Sequence, residues 1–371
     1  LWDPTALIIN DVPQPVSAEA NITYDGEADE FVEVVFGNVG YTEIHGRKFE
    51  DLNGNGVHDD GEPGVEGVEV RLICNAIRTN PVLLTTTTGS AGEFAFQNLV
   101  PGTYTVAETA LPSSLWVPST DTVSGPHVLD SGDSLDLGWV FGNVLPGSIH
   151  GHKFVDINGN GVEDDGEPGL PDVIIMLTGD VDGDGDIDQV NVPTNDEGEY
   201  RFTELWPGDY NVAEIVPDGW TPTTPTEVDV AVISGVELVA RAGQAMLTED
   251  QIAADYEEVV DESLAFGNFQ YGSIHGYKFH DLDADGVRDL GAPGLAGWSI
   301  ELSDADENLI PQTVTDGNGE YAFVDPGPGT DMVTETPQEE WMQTTANPPP
   351  QALQSGQEYV AEDGQAGLGS V

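Results

Sequence analysis

Residues 44–64 read IHGRKFEDLNGNGVHDDGEPG, and the stretch returns as IHGHKFVDINGNGVEDDGEPG from Ile149 and as IHGYKFHDLDADGVRDLGAPG from Ile274. Self-similarity at this period marks an array of like domains rather than one large fold. Each copy joins a short alternating strand, which carries a lysine, to an acidic glycine-rich loop. The intervals between copies suit β-sandwich domains.

The text between copies supports the same division. VEVRLI, GEFAF, PGTYTVAE and VFGN follow the first copy, GEYRF, PGDYNVAE and AFGN the second, and GEYAF with PGTDMVTE the third. Short β-branched and aromatic runs punctuated by Gly, Pro and Asn are strand-and-turn signals. The expected fold is therefore all-β: tandem immunoglobulin-like or prealbumin-like sandwiches over residues 44–148, 149–273 and 274–371. Residues 1–43 end in EVVFGN and read as a closing strand without a domain, whereas 274–371 reaches no FGN strand. The second repeat carries two insertions, DVDGDGDIDQVN from Asp180 and LTEDQIAADYEEV from Leu247. In the latter, Thr248 and Gln251 are spaced as a capping box and predict a helix.

Charge excludes whole classes of function. Sixty-eight acidic residues face nine basic ones, for a net charge of −59. Nucleic acid and anionic membrane surfaces would be repelled. A chain this acidic self-repels unless salt or bound cations neutralise it, which points to divalent metal or a saline medium; a merely soluble acidic surface is the plainer reading. The single cysteine, Cys74, rules out an internal disulfide framework. There is no apolar run of membrane-spanning length and no signal peptide in these residues, and a start at Leu1 leads one to expect a processed or trimmed chain, which leaves room for an export signal ahead of it.

The acidic loops follow the twelve-residue EF-hand spacing, in which oxygen ligands alternate, glycine makes the turn at position 6, a main-chain carbonyl serves at 7 and a carboxylate closes at 12. The first loop offers Asp51, Asn53, Asn55, Val57, Asp59 and Glu62, and the second Asp156, Asn158, Asn160, Val162, Asp164 and Glu167. The third offers Asp281, Asp283, Asp285, Val287 and Asp289, but Ala292 replaces the closing carboxylate, which predicts weaker binding. Asp180, Asp182, Asp184, Asp186 and Asp188 form a fourth candidate. The expected ligand is Ca2+ in a structural role; acidic turns without metal are the bland alternative.

The chain has only three lysines, Lys48, Lys153 and Lys278, all at one place in the opening strand. Strand alternation turns Lys48, Glu108 and Asn143 toward the core. A buried lysine sheds its proton and becomes a nucleophile, and a buried glutamate holds one and relays it. Against an asparagine, that pair can form a Lys–Asn amide and expel ammonia. A buried ion pair with Asn as hydrogen-bond partner is the other reading.

GxKFxDxNGNGxxDxGEPG, GEYxF, PGxYxVxExxP and the closing FGN together resemble the calcium-binding B repeats of SdrD-like surface proteins and the related Cna B-type domains of bacterial pili and adhesins. The resemblance covers nearly all of residues 44–371. It implies an extracellular location and, in Cna B-type members, an isopeptide between a first-strand lysine and a last-strand asparagine promoted by an acidic residue. By position that gives Lys48, Glu108 and Asn143, then Lys153, Glu214 and Asn268. Many SdrD-like repeats rely on calcium and lack the bond.

The expected function is structural: a calcium-stabilised extracellular stalk or filament with no enzymatic activity beyond autocatalytic amide formation. A surface adhesin or carbohydrate-binding array is the competing class, with Trp116, Trp220 and Trp341 as candidate stacking residues. Hydrolase triads, phosphate loops and thiol sites are not legible. The third repeat has Lys278 and Glu335 but no closing strand, and residues 33–38 have no domain to complete. Head-to-tail strand donation, making a homopolymer with Asn38 bonded to Lys278 of the neighbour, reconciles the two. An arbitrary window on a longer array accounts for the same termini.

Overall fold

A computed structural model describes residues 2–4, 8–9, 12–13, 38–74, 82–110, 113–241, 257–303, 309–361 and 368–370. The chain divides into two compact units: Leu1–Gly147 with Trp206–Gly208 and Ile233–Gly235, and Ser148–Leu205 with Asp209–Val232 and Val236–Val371.

Within the first unit the repeat is two four-stranded sheets. One runs Val117–Pro118, Ser134–Val144, Thr42–Glu50, Glu93–Leu99; the other runs Val123–Leu129, Gly102–Ala110, Glu69–Cys74, Val82–Thr87. Alternation decides which side chains meet between them. Val70, Leu72 and Cys74 point inward from one sheet, and Ile44, Phe94, Phe96 and Phe141 from the other. In Glu93–Leu99 the alternation slips by one at Asn98, whose φ of 56° is left-handed, and this turns Leu99 into the core. Glu204 (φ 59°) does the same for Leu205 in the second repeat.

The second unit holds the second and third repeats, each again a pair of sheets. The opening strand Gly147–Val155 has two parallel partners in succession, Val236–Val239 beside its first half and Ala265–Gln270 beside its second. In the first repeat one long strand, Ser134–Val144, fills both places. The expected helix falls mostly on residues 242–256, which lie outside the described residues. Its last part does not fit a helix: Glu257–Val260 is a strand paired parallel to Val236–Val239.

The third repeat has Gln351–Leu353 and Glu358–Ala361 in their sheets, and Glu358–Val360 pairs with Ser273–His275. Among the described residues no strand lies along Lys278–His280, the stretch that corresponds to the segments paired with Phe141–Asn143 and Ala265–Asn268 in the other repeats.

Candidate functional site

The parallel pairing of first and last strands sets Phe141 beside Lys48 and Asn143 beside Glu50. Lys48 and Asn143 therefore share the inner face two residues apart. Glu108 reaches the same point from the facing sheet, where Val70 is its register partner. The Lys48 side chain is 0 % exposed and that of Glu108 4 %. Lys48 Nζ lies 2.6 Å from Glu108 Oε2 and also donates to Asn143 Oδ1, while Asn143 Nδ2 donates to Glu108 Oε1 at 3.1 Å. One carboxylate thus bridges the amine and the amide nitrogen. Burial pulls the Lys48 pKa below its ordinary value, against the opposing pull of Glu108.

The second repeat rebuilds the centre with Lys153, Glu214 and Asn268. Lys153 Nζ lies 3.0 Å from Glu214 Oε2 and donates to Phe266 O at 3.0 Å, and Asn268 Nδ2 donates to Glu214 Oε2 at 3.1 Å. Burial lowers the Lys153 pKa to about 8 and raises that of Glu214. Glu214 Oε1 and Asn268 Oδ1 are buried without a hydrogen-bond partner. Each such orphan costs about 1–3 kcal/mol, so this arrangement of the centre carries an unmet polar cost.

In the third repeat Lys278 pairs with Glu335 and lies 4.4 Å over the Trp298 ring. Its side chain is 15 % exposed, against 0 % for Lys48 and Lys153. Among the described residues no strand covers the edge beside it. Asn38 is not brought to this pair; it is exposed and pairs with Pro4 in a small two-stranded sheet. Residues 33–37 lie outside the described residues.

The acidic loops coil around their first aspartate. Asp51, fully buried, accepts from Asn55 N and Gly56 N; Asn53 Oδ1 accepts from Asn55 N and Asn55 Oδ1 from Val57 N. Asp59 accepts from the side-chain amides of Asn53 and Asn55, and Glu62 closes the loop on Leu52 N and Asp59 N at 2.9 Å each. The second loop repeats the pattern through Asp156, Asn158, Asn160, Val162, Asp164 and Glu167. An all-oxygen donor set pinned at both ends by main-chain N–H groups fits a hard cation. In the third loop the carboxylates of Asp281, Asp283 and Asp285 lie within 4.8 Å of one another. Asp283 is raised by its neighbour Asp285, the repulsion a cation would relieve. The insertion gathers Asp180, Asp182 and Asp188 in the same way, without Asp184 and Asp186.

The candidate tryptophans differ in burial: Trp220 is half-buried and Trp341 is 42 % exposed. Trp116 is buried, and Trp341 packs edge-on against Trp298 and His280. One set was missed in the sequence: Thr88, Thr194 and Thr315, each buried, donate to a carbonyl just past the acidic loop and accept from a main-chain N–H. Their signal, a threonine four residues before each GE pair, was legible.

A family model described as SdrD B-like domain matches residues 42–136, 147–255 and 272–362. The chain belongs to this family. Among relatives of the SdrD B-like array, serine-aspartate repeat-containing protein F of Staphylococcus epidermidis is 29 % identical over 295 residues, covering 74 % of this chain and 16 % of the relative. Serine-aspartate repeat-containing protein D of Staphylococcus aureus (strain Newman) is 27 % identical over 301 residues, covering 78 % and 21 %. The chain thus spans about a fifth or less of the length of these relatives. A similar solved structure, the Bacillus anthracis TIE protein, aligns over 90 % of this chain and 51 % of its own, with 16 % identity and a TM-score of 0.33. Among the described residues no helix is long and apolar enough to cross a membrane.

Proposed function

We propose that this SdrD B-like array is a load-bearing segment of an extracellular, cell-surface stalk or filament, locked by Lys48–Asn143 and Lys153–Asn268 amides and stiffened by Ca2+ in its acidic loops. The observation that carries it is the pair of buried Lys–Glu–Asn centres joining first to last strand. Lys Nζ, as neutral amine, attacks Asn Cγ. Glu108 or Glu214 takes the amine proton and delivers it to the departing amide nitrogen, so one C–N bond forms, one breaks and ammonia leaves. Closing a loop of 95 residues stabilises the fold by about 4.7 kcal/mol on the chain-entropy argument used for disulfides. Calcium, when bound, neutralises the loop carboxylates; Asp51, Asp156 and Asp281 anchor it, and Glu62 and Glu167 close two of the three loops.

At Lys278 and Glu335 the same chemistry waits for an asparagine. An incoming strand ending in FGN, such as residues 33–38 of a second copy, would cover the Lys278–His280 edge and set Asn38 on the lysine, once Asn38 has left Pro4. Repetition of that contact gives a filament.

Intact mass after chelation tests the amides. The expected result is a chain lighter than its sequence by two ammonia molecules, with Glu108→Ala or Glu214→Ala restoring one each. Full sequence mass in the native protein would leave only buried ion pairs.

A further inference from the structure

The second residue of each of the first two acidic loops does two jobs. In the second unit Ile157 N donates to Glu167 Oε1 at 2.7 Å, and Ile157 O accepts from Ser355 N at 3.0 Å. Ser355 belongs to a turn of the third repeat. Its Oγ accepts from Gln270 N at 2.7 Å, and Gly356 N donates to Gln270 O at 2.9 Å. The first unit, which takes in Trp206–Gly208 and Ile233–Gly235, holds the same constellation. There Leu52 N donates to Glu62, Leu52 O accepts from Ser234 N at 2.9 Å, Ser234 Oγ accepts from Leu145 N, and Gly235 N donates to Leu145 O.

The fourth residue of the loop supplies an independent observation. It is left-handed in all three copies: Gly54 φ 72°, Gly159 φ 72°, Ala284 φ 63°. Ala284 shows that this backbone tolerates a side chain here, so φ alone does not demand glycine. Space does. A Cβ on Gly159 would stand 2.0 Å from Pro328 Cβ, and one on Gly54 would meet Trp206 Nε1. Pro328 is the proline of the third repeat's PG turn, and Trp206 immediately precedes the PG turn of the second. In the third loop Ala284 is exposed and Leu282 is 70 % exposed.

We infer that the second acidic loop is the seat on which the third repeat docks, with Ser355–Gly356 and Pro328 as its two plugs. Because one residue, Ile157, donates its N–H to the closing Glu167 and offers its C=O to Ser355, filling the loop with Ca2+ fixes the joint between these repeats. The seat stands on the contacts above; only its cation dependence rests on the calcium reading.

Hydrogen exchange of the Ser355 and Gly356 amides, read in the full chain alongside calcium titration, tests this. Gly159→Ala should raise their exchange about tenfold in Ca2+ while calcium stoichiometry and Gly161 protection stay as in the parent. Adding Pro328→Gly should restore protection, and Ala284→Gly should change nothing. Undiminished Ser355 protection in Gly159→Ala overturns the seat. Chelation should raise Ser355 exchange in the parent; if calcium binds but chelation leaves that amide protected, the cation link falls and the seat stands. A titration without calcium uptake overturns the calcium reading, and the Gly159→Ala result still decides the seat.

Discussion

Pulling the chain end to end should reveal how much of it is hidden from force. A Lys48–Asn143 amide routes tension from the opening strand across the bond into the closing strand, and the chain between them, a sequence separation of 95, never bears load. At 3.3–3.6 Å per extended residue, that sequestered length is about 310–340 Å. Single-molecule force spectroscopy of the parent should therefore show no unfolding step of this size from the first repeat. Asn143→Ala removes the electrophile, and a step of about 310–340 Å should then appear. The second repeat, with residues 153 and 268 as its ends, should behave the same way under Asn268→Ala with a longer step. A parent chain whose first repeat already extends by the full amount would refute the covalent reading, whatever the hydrogen-bond geometry.

Calcium should set thermal stability: a site held at a hundredfold excess over its Kd contributes about 2.7 kcal/mol, so chelation should lower Tm by on the order of 10 °C for a domain of this size, and an unchanged melting curve would count against it. Asp51→Ala or Asp156→Ala should cost more Tm than Asp281→Ala, whose loop already has Ala292 in place of the closing carboxylate. In Asn268→Ala the Lys153 amine stays free with a pKa near 8 instead of 10.5; the unfolded chain then binds more protons between those values, so unfolding free energy should rise by about 1 kcal/mol per pH unit from pH 8 to 9.5, and a flat or falling profile would contradict a buried neutral lysine. If neighbours join covalently, denaturing gels of the assembled protein should show a ladder that Asn38→Ala collapses to monomer.

Much of this was legible because the sequence repeats its own reasoning. Lys48, Glu108 and Asn143 could each be turned toward the core from period-2 alternation alone, and the loops recognised from oxygen spacing. What alternation could not show is pairing. Nothing local says that Val236–Val239 and Ala265–Gln270 both lie parallel to Gly147–Val155, one after the other. The capping-box signal at Thr248 carried the helix expectation through to residues 257–259, where sheet pairing prevailed over local propensity. Ser234 and Ser355 carry no local signal of the loops they meet, since a turn's own sequence does not name the surface it contacts.

The rationing of lysine has a last consequence. With two side chains at 0 % exposure and the third at 15 %, the folded chain shows the medium almost no ε-amine. Aldehydes and activated esters depend on reaching one, so amine-directed chemistry finds little to modify on the folded chain, whereas a protease that reads arginine still meets exposed side chains such as Arg71 and Arg241.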